Sequence, residues 1–174
     1  MQKINFKPIV VVLISLVLLV NCSKNDNETQ LVDAHLEMKM NGELKKFNNS
    51  LSAQTAYEND KIVTLIVAGL KDPNPGETDS FDIHIVDIDN GITTRTFLNP
   101  VNNNLNYDLY SNYFNNLTNK YFSSSYNDPQ EFKVIITGLA NNCVKGTFSG
   151  KIRKDNNQEV IIITEGSFIA PIEN

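Results

Sequence analysis

Several features that are scarce or missing in this 174-residue chain narrow its function before any motif is considered. Acidic residues outnumber basic ones, 20 against 15, and the net charge of −5 excludes the basic surface that nucleic-acid binding requires. Only two cysteines are present, which excludes a framework of several disulfides. No apolar run after residue 20 approaches the roughly 18 residues of a transmembrane helix. No glycine-rich phosphate loop and no Ser-His-Asp or Cys-His arrangement stands in a fitting context.

The N-terminal segment has the order of a secretory signal. Lys3 and Lys7 precede the apolar run Ile9–Val20, whose length of about 12 residues is typical of the apolar region of a signal peptide. As a helix this run would cover about 18 Å of a hydrocarbon core about 30 Å thick, which is too little for a comfortable membrane span. We therefore predict that residues 1–21 are a signal peptide.

The residues that follow the apolar run, Leu19-Val20-Asn21-Cys22, resemble the lipobox of bacterial lipoproteins. The resemblance implies that Cys22 becomes the mature N-terminus and carries a diacylglycerol thioether. Each buried acyl CH₂ contributes about 0.8 kcal/mol, so two or three chains would make membrane residence effectively permanent. The alternatives are an ordinary signal peptide that contains a cysteine and an uncleaved signal anchor. Without lipid on Cys22, its pairing with Cys143 also has to be considered.

The rest of the chain divides into a short tether, residues 22–31, and one domain, residues 32–174. The tether sequence from Ser23 to Gln30 is polar and lacks aliphatic residues, so we expect it to be disordered and to hold the domain roughly 15 Å from the lipid. Its acids, Asp26 and Glu28, partly match the acidic stretch that directs Bacteroidota lipoproteins to the cell surface. We therefore expect a lipid anchor in the outer membrane, on the cell surface in preference to the periplasmic face.

The domain sequence predicts an all-β fold, an antiparallel β-sandwich or open barrel of about eight to ten short strands. Apolar and polar residues alternate over short stretches that turn signals separate, which is typical of antiparallel strands. Asn41-Gly42 is a strong hairpin turn. The stretch Ile62–Ala68 is apolar on both faces, which predicts a central strand. The residues predicted to face inward include Leu36, Met38, Met40, Phe81, Ile83, Ile85, Phe132, Val134, Ile136, Val144, Gly146, Phe148, Gly150 and Ile152.

Two similar tripeptides, Gly146-Thr147-Phe148 and Gly166-Ser167-Phe168, lie in the last two predicted strands. With no further copies, they indicate a hairpin and not a solenoid repeat. Together with the lipobox, the Asn-rich tether and the early Asn-Gly hairpin, they resemble the small lipoproteins of unknown function found in Bacteroidota, especially flavobacteria. That resemblance implies an exported β-rich domain and carries no catalytic residues.

One segment concentrates five of the six tyrosines among Asn and Ser residues. Tyr offers a large, stiff contact surface with a polar tip, and Asn and Ser offer adaptable hydrogen bonds, a mixture favoured at recognition surfaces. The alternative is packing, in which a helical turn carrying Tyr107, Tyr110, Phe114 and Leu117 covers one end of the core. The candidate ligand-binding residues are Tyr107, Tyr110, Tyr113, Tyr121 and Tyr126.

Both histidines occur in Asp-x-His pairs, Asp33-Ala34-His35 and Asp82-Ile83-His84. Residues i and i+2 of a strand share a face, so adjacent strands could combine the pairs into a two-histidine, two-carboxylate metal site. The alternative is that both pairs are ordinary solvent-facing residues. A second acidic segment, Asp87–Gly91, partly matches a calcium loop, but its glycine and its terminal acid are misplaced for an EF-hand, which favours a β-turn.

These observations predict a lipid-anchored cell-envelope domain with a binding or structural role, and they assign no metal, no cofactor and no catalytic residue. The partners we expect are the membrane, through the acyl chains on Cys22, and a glycan or a protein as ligand, with nucleic acid excluded. One alternative is a carbohydrate-active or metal-assisted hydrolase that uses Asp82 and His84. Another is an accessory subunit of an envelope complex.

Overall fold

The structure, a computed structural model, describes residues 33–99, 107–126, 130–140, 142–154 and 159–173, and only the backbone of Tyr126. The proposed signal peptide and tether lie outside the described residues. Within them the chain forms eleven strands, a short 3₁₀ turn at Ser124–Tyr126 and no α-helix, which confirms the all-β class. The strands are His35–Met40 (β1), Glu43–Lys46 (β2), Asn49–Glu58 (β3), Lys61–Leu70 (β4), Ser80–Val86 (β5), Thr96–Leu98 (β6), Asp108–Asn115 (β7), Lys120–Ser123 (β8), Phe132–Ala140 (β9), Cys143–Arg153 (β10) and Val160–Glu173 (β11).

All eleven strands belong to one mixed sheet in the order β2-β1-β11-β3-β4-β5-β7-β8-β10-β9-β6, with a further pairing between β10 and β11. Two short ladders therefore close seven strands into a ring. The first is the parallel contact of Ile172 and Glu173 with β3, and the second is the single pair Arg153–Ser123 between β10 and β8. These ladders divide the sheet into a five-stranded half (β3, β4, β5, β7, β8) and a six-stranded half (β6, β9, β10, β11, β1, β2).

The two halves pack face to face around one hydrophobic core. Phe81 of β5 stacks on Phe148 of β10 with ring centroids 5.5 Å apart. Phe47, in the β2–β3 connection, contacts Phe81 at 5.7 Å and Tyr113 of β7 at 6.1 Å. Burial of these large rings supplies a major part of the hydrophobic driving force. The fold therefore combines the facing layers of a sandwich with a ring of strand pairings.

Most predicted inward faces are confirmed, because the alternation along each strand leaves only one face for the core. Strand β4 lies centrally between β3 and β5, as its sequence predicts. Asn41 and Gly42 turn the chain with φ angles of 50° and 85°, as a two-residue hairpin requires. The inward residues confirmed as buried are Leu36, Met38, Met40, Phe81, Ile83, Ile85, Phe132, Val134, Ile136, Val144, Phe148 and Ile152.

The two similar tripeptides face each other in the β10–β11 hairpin. Gly146 is paired with Phe168, and Phe148 is paired with Gly166. A Cβ atom on Gly146 would lie 2.8 Å from Cε1 of Phe168 and 2.7 Å from the carbonyl oxygen of Ile135. On Gly166 it would lie 2.7 Å from the Phe148 ring. Each phenylalanine ring thus occupies the space that the opposite glycine leaves open.

An alanine at Gly146 should therefore destabilise the protein. Because the added methyl group meets both a packed ring and a backbone oxygen, we expect the free energy of unfolding to fall by about 1–3 kcal/mol. Gly138 is the matched control in the neighbouring strand, since a Cβ there would meet nothing closer than 3.7 Å. Urea unfolding of Gly146→Ala and Gly138→Ala measures the difference. Equal midpoints for both variants and the wild type would contradict the packing argument.

A group of charged side chains ties the start of β9 to the end of β10. Lys151 donates to Glu131 Oε1 at 2.5 Å, and Arg153 donates to Glu131 Oε2 at 2.7 Å. The hydrogen bond from Lys151 and then that from Arg153 lower the pKa of Glu131 from 4.5 to about 2. The ionised form of Glu131 is therefore more stable in the folded protein than in the unfolded chain.

Since the pKa of Glu131 is lowered on folding, its stabilisation is complete above pH 4.5 and is lost as the pH falls toward 2. We expect Glu131→Gln to lower the free energy of unfolding at pH 7 by about 1–2 kcal/mol, and by much less near pH 2. Glu43→Gln, which removes an exposed partner of Lys45, is the control. Urea midpoints at both pH values test this, and a Glu131→Gln effect that is independent of pH would contradict it.

Candidate functional site

The tyrosine-rich segment forms β7, β8 and the 3₁₀ turn, so the alternative of a helical turn carrying Tyr107, Tyr110, Phe114 and Leu117 is wrong. Strand β7 pairs with β5 over seven consecutive residues and with β8 on its other side. These two ladders satisfy the backbone groups that a helix would otherwise pair internally. Leu117 lies in the β7–β8 turn and is 93% exposed, so it covers no part of the core.

Two of the candidate tyrosines point into the protein. Tyr113 is only 4% exposed, and its hydroxyl donates to Asp79 Oδ2 at 3.0 Å. Burial is the main cause that raises the pKa of Tyr113 to about 12. Tyr107 accepts a hydrogen bond from the Leu98 amide at 3.0 Å, and its ring contacts Phe97 edge to face at 5.3 Å. Packing therefore occupies both residues, whereas the side chain of Tyr126 lies outside what the structure describes.

The other two tyrosines lie on the outward face of the five-stranded half. Tyr110 stacks on His84 of β5, with ring centroids 4.6 Å apart and an angle of 15° between the planes. Tyr121 of β8 is 46% exposed and hydrogen-bonds through its hydroxyl to Asn112 Oδ1. Alternation along β7 produces this arrangement. Because Tyr113 faces the core, Tyr110 and Asn112 face outward.

A chain of polar contacts joins these rings to Asp82. Oδ1 of Asp82 lies 2.9 Å from Nε2 of His84 and accepts a hydrogen bond from Nδ2 of Asn112 at 2.7 Å. The amide oxygen of Asn112 in turn binds the hydroxyl of Tyr121. We call Asp82, His84, Tyr110, Asn112 and Tyr121 the platform. It combines the stacked rings of His84 and Tyr110, the phenol of Tyr121, one amide and one carboxylate on the outward face of the sheet.

The platform brings together residues from separate motifs of the sequence. Asp82 and His84 form the Asp-x-His pair that could supply metal ligands or hydrolase groups, and Tyr110 and Tyr121 are candidate binding residues of the tyrosine-rich segment. Asn112 had no assigned role, and its Asn-rich surroundings gave no signal that distinguished it. What unites them is the pairing of β5 with β7 and of β7 with β8.

The two Asp-x-His pairs do not come together, so they do not form the two-histidine metal site that their spacing could allow, and the alternative of separate pairs holds. His35 lies in β1 of the six-stranded half, where Nδ1 is 2.8 Å from the carbonyl oxygen of Asp33 and Nε2 is 3.2 Å from Ser167 Oγ. His84 lies in β5, which is not a neighbour of β1 in the sheet. Across the described ranges, no group of three or more His, Cys, Asp or Glu residues is placed to hold a metal ion.

The acidic segment after β5 is a turn, as its glycine position indicates. Asp87 is buried, its carboxylate pairs with Arg95, and its Oδ1 accepts a hydrogen bond from the Asn90 amide at 2.9 Å. Arg95 also lies 4.5 Å from the centre of the Phe97 ring, a distance at which a cation is attracted to an aromatic face. The carboxylate of Asp87 therefore has a structural role in closing the turn.

Cys143 begins β10, is 1% exposed and is disulfide-bonded. The sequence contains one other cysteine, Cys22, which lies outside the described residues. A thioether to lipid and a disulfide both consume the thiol of a cysteine. A lipid thioether on Cys22 therefore excludes a disulfide between Cys22 and Cys143 and requires Cys143 in its reduced form.

No protein-family model matches this chain, and no curated protein and no solved structure does so either. Among the residues that the structure describes, none forms a helix with the length and apolar character needed to cross a membrane.

The division of the tyrosines between core and surface predicts two different costs of truncation. Tyr113→Ala removes a buried ring and leaves Asp79 without its hydroxyl donor, so we expect a loss of about 3–5 kcal/mol in the free energy of unfolding. Tyr121→Ala removes an exposed ring and should cost about 1 kcal/mol or less. Urea unfolding of the two variants checks this. A loss of several kcal/mol for Tyr121→Ala would identify it as a packing residue.

Proposed function

We propose that this chain is an exported β-domain, held at the outer membrane by lipid on Cys22, whose role is recognition through the platform. The anchor is supported by the order of basic residues, apolar run and cysteine in the first 22 residues. Two or three acyl chains on one cysteine provide enough buried hydrocarbon for lasting attachment. The polar sequence between Cys22 and the first strand serves as the tether.

The platform is the observation that supports a recognition role. Its side chains hold one another in place through the stack of His84 on Tyr110 and the hydrogen bonds from Asp82 through Asn112 to Tyr121. Side chains that are already ordered lose less conformational entropy when a ligand binds. Because the platform faces outward, its side chains contribute little to the core. Their fixed positions are therefore better explained by a role in binding than by a role in folding.

The position of the platform is compatible with an N-terminal anchor. The described chain enters the fold at Asp33 and continues directly into β1, a strand of the six-stranded half. The platform lies on the outward face of the other half, on β5, β7 and β8. A tether that joins the domain at β1 therefore leaves the platform accessible.

A role as an accessory subunit is a second candidate, which one observation favours. Tyr57, near the end of β3, is 60% exposed, and Ile88, in the turn that follows β5, is 61% exposed. Exposed apolar side chains of this size occur at protein interfaces. The platform is the stronger candidate because its members are connected by a ring stack and hydrogen bonds.

Lipidation is tested by incorporation of labelled palmitate in the native host. We expect the wild-type chain to be labelled and Cys22→Ala to lose the label, because the acceptor sulfur is gone. Cys143→Ala is the matched control and should retain the label. If the wild type takes up no label and peptide mapping finds Cys22 in a disulfide with Cys143, the anchor is contradicted and the chain is an exported domain without lipid.

The side of the membrane is decided on the same cells. Protease added to intact cells should remove the wild-type domain if it is displayed at the surface, and a periplasmic marker protein should remain intact as the control. Protection of both proteins would instead place the domain on the periplasmic face.

A further inference from the structure

We infer that the platform binds a neutral saccharide chain, an inference that rests on the proposed recognition role of this surface. The ligand class follows from three properties of the platform. It has an exposed tyrosine, a carboxylate oxygen in the same hydrogen-bond network without a partner among the described residues, and no Lys or Arg in the two strands that form its centre.

Tyr121 is the most exposed residue of the platform. The backbone of Tyr121 is paired with that of Phe114. The hydroxyl of Tyr121 reaches Asn112, whose own partner in β8 is Ser123, two residues after Tyr121. The ring must therefore lean along the strand to span this offset, and 46% of the residue remains exposed. The face of an aromatic ring carries partial negative charge and attracts polarised C–H bonds such as those of a pyranose.

Unused hydrogen-bonding atoms lie in the same network. Oδ1 of Asp82 is engaged by both His84 and Asn112, whereas its Oδ2 atom has no hydrogen-bond partner in the part of the chain that the structure describes. The ring of Tyr110 stacks on His84. Its hydroxyl likewise has no hydrogen-bond partner among the described residues. A carboxylate oxygen and a phenol hydroxyl together can accept from and donate to the hydroxyl groups of a sugar.

The charge of the surface favours an uncharged ligand. Residues 80–86 and 108–115, which form β5 and β7, contain Asp82 and Asp108 and no Lys or Arg. In β8, the cation Lys120 is already paired with Glu159 at 2.8 Å. A uronate, sulfate or phosphate group on the ligand would therefore meet carboxylates without compensating positive charge.

The same unpaired oxygen makes a saccharide a better fit than an apolar protein surface. A protein that covered the platform would desolvate Asp82 and would have to supply a donor for Oδ2, since an unpaired buried charge costs several kcal/mol. A sugar carries a hydroxyl donor on nearly every ring carbon. It can pair with the carboxylate while its C–H face packs on Tyr121.

Affinity electrophoresis of the full chain, produced in its host and extracted in detergent, tests the inference. The neutral probes are laminarin, soluble starch and galactomannan, and the anionic probes are alginate and polygalacturonate. We expect at least one neutral polysaccharide to retard the wild type, and neither anionic one to do so. Tyr121→Ala and Asp82→Asn should each weaken this binding about tenfold, because each removes one of the two contacts.

Two variants serve as controls. Tyr57→Ala removes an equally large and more exposed ring outside the platform and should change the affinity less than twofold. Tyr121→Phe retains the ring and should therefore bind better than Tyr121→Ala. Binding by Tyr121→Phe together with loss of binding by Tyr121→Ala shows that the ring is the group required. Binding of no neutral polysaccharide, or equal binding by Tyr121→Ala and the wild type, would overturn the inference.

Photo-crosslinking in the host separates failure of the saccharide inference from failure of the proposed function. A benzophenone amino acid is placed at position 121, and at position 57 as the control. After exhaustive proteolysis, a peptide containing position 121 whose attached mass is removed by periodate supports a saccharide. A peptide containing position 121 that is joined to a second peptide overturns the saccharide and retains the platform as a recognition surface. Equal yields at both positions overturn the recognition role itself.

Discussion

The reciprocal packing of glycine and phenylalanine in the β10–β11 hairpin is the interaction on which the rest of the structure depends. Each glycine leaves room for the ring of the opposite strand, so Phe148 and Phe168 can both lie in the space between the two halves. From there Phe148 reaches Phe81 across the core. Because Phe81 is held inward, Asp82 must point outward, and the core thereby fixes the orientation of the first platform residue.

Strand alternation extends this effect from one residue to the whole platform. Along β5 the core side is Phe81, Ile83 and Ile85, so His84 shares the outward face with Asp82. The register with β7 then places Tyr110 opposite His84 and Asn112 opposite Asp82. A slip of one residue would move every one of these side chains to the other face, so burial of the core specifies the outward network as well.

The sequence allowed the strands to be predicted, but not their partners. Alternation is a local property, and it correctly identified the inward faces of β1, β5, β9 and β10. The parallel contact of β11 with β3 and the pairing of β5 with β7 are long-range contacts, which no local pattern encodes. The tyrosines of β7 were also consistent with a helix, because positions 107, 110, 114 and 117 fit helical spacing as well as they fit parts of a strand.

The same limit applies to the candidate site. Tyr110 and Tyr121 could be proposed from their residue type, as could Asp82 and His84, but only the register showed that they form one network. The residue type alone could not separate Tyr110 from Tyr113, which lies three positions away and is buried. Asn112 is one of many asparagines, and only its position between Asp82 and Tyr121 distinguishes it.

Stability and recognition are carried by opposite faces of the same strands, and this has a consequence for how the surface can change. Substitutions at inward positions alter a close-packed core, where the loss of one ring costs several kcal/mol. Substitutions at outward positions alter hydrogen bonds that water can replace at small cost. The platform can therefore be ordered through its own contacts without contributing much to folding, so changes in its ligand preference need not compromise the fold. Asp82 is the residue where this freedom is smallest, because its single Oδ1 atom holds both His84 and Asn112 in place.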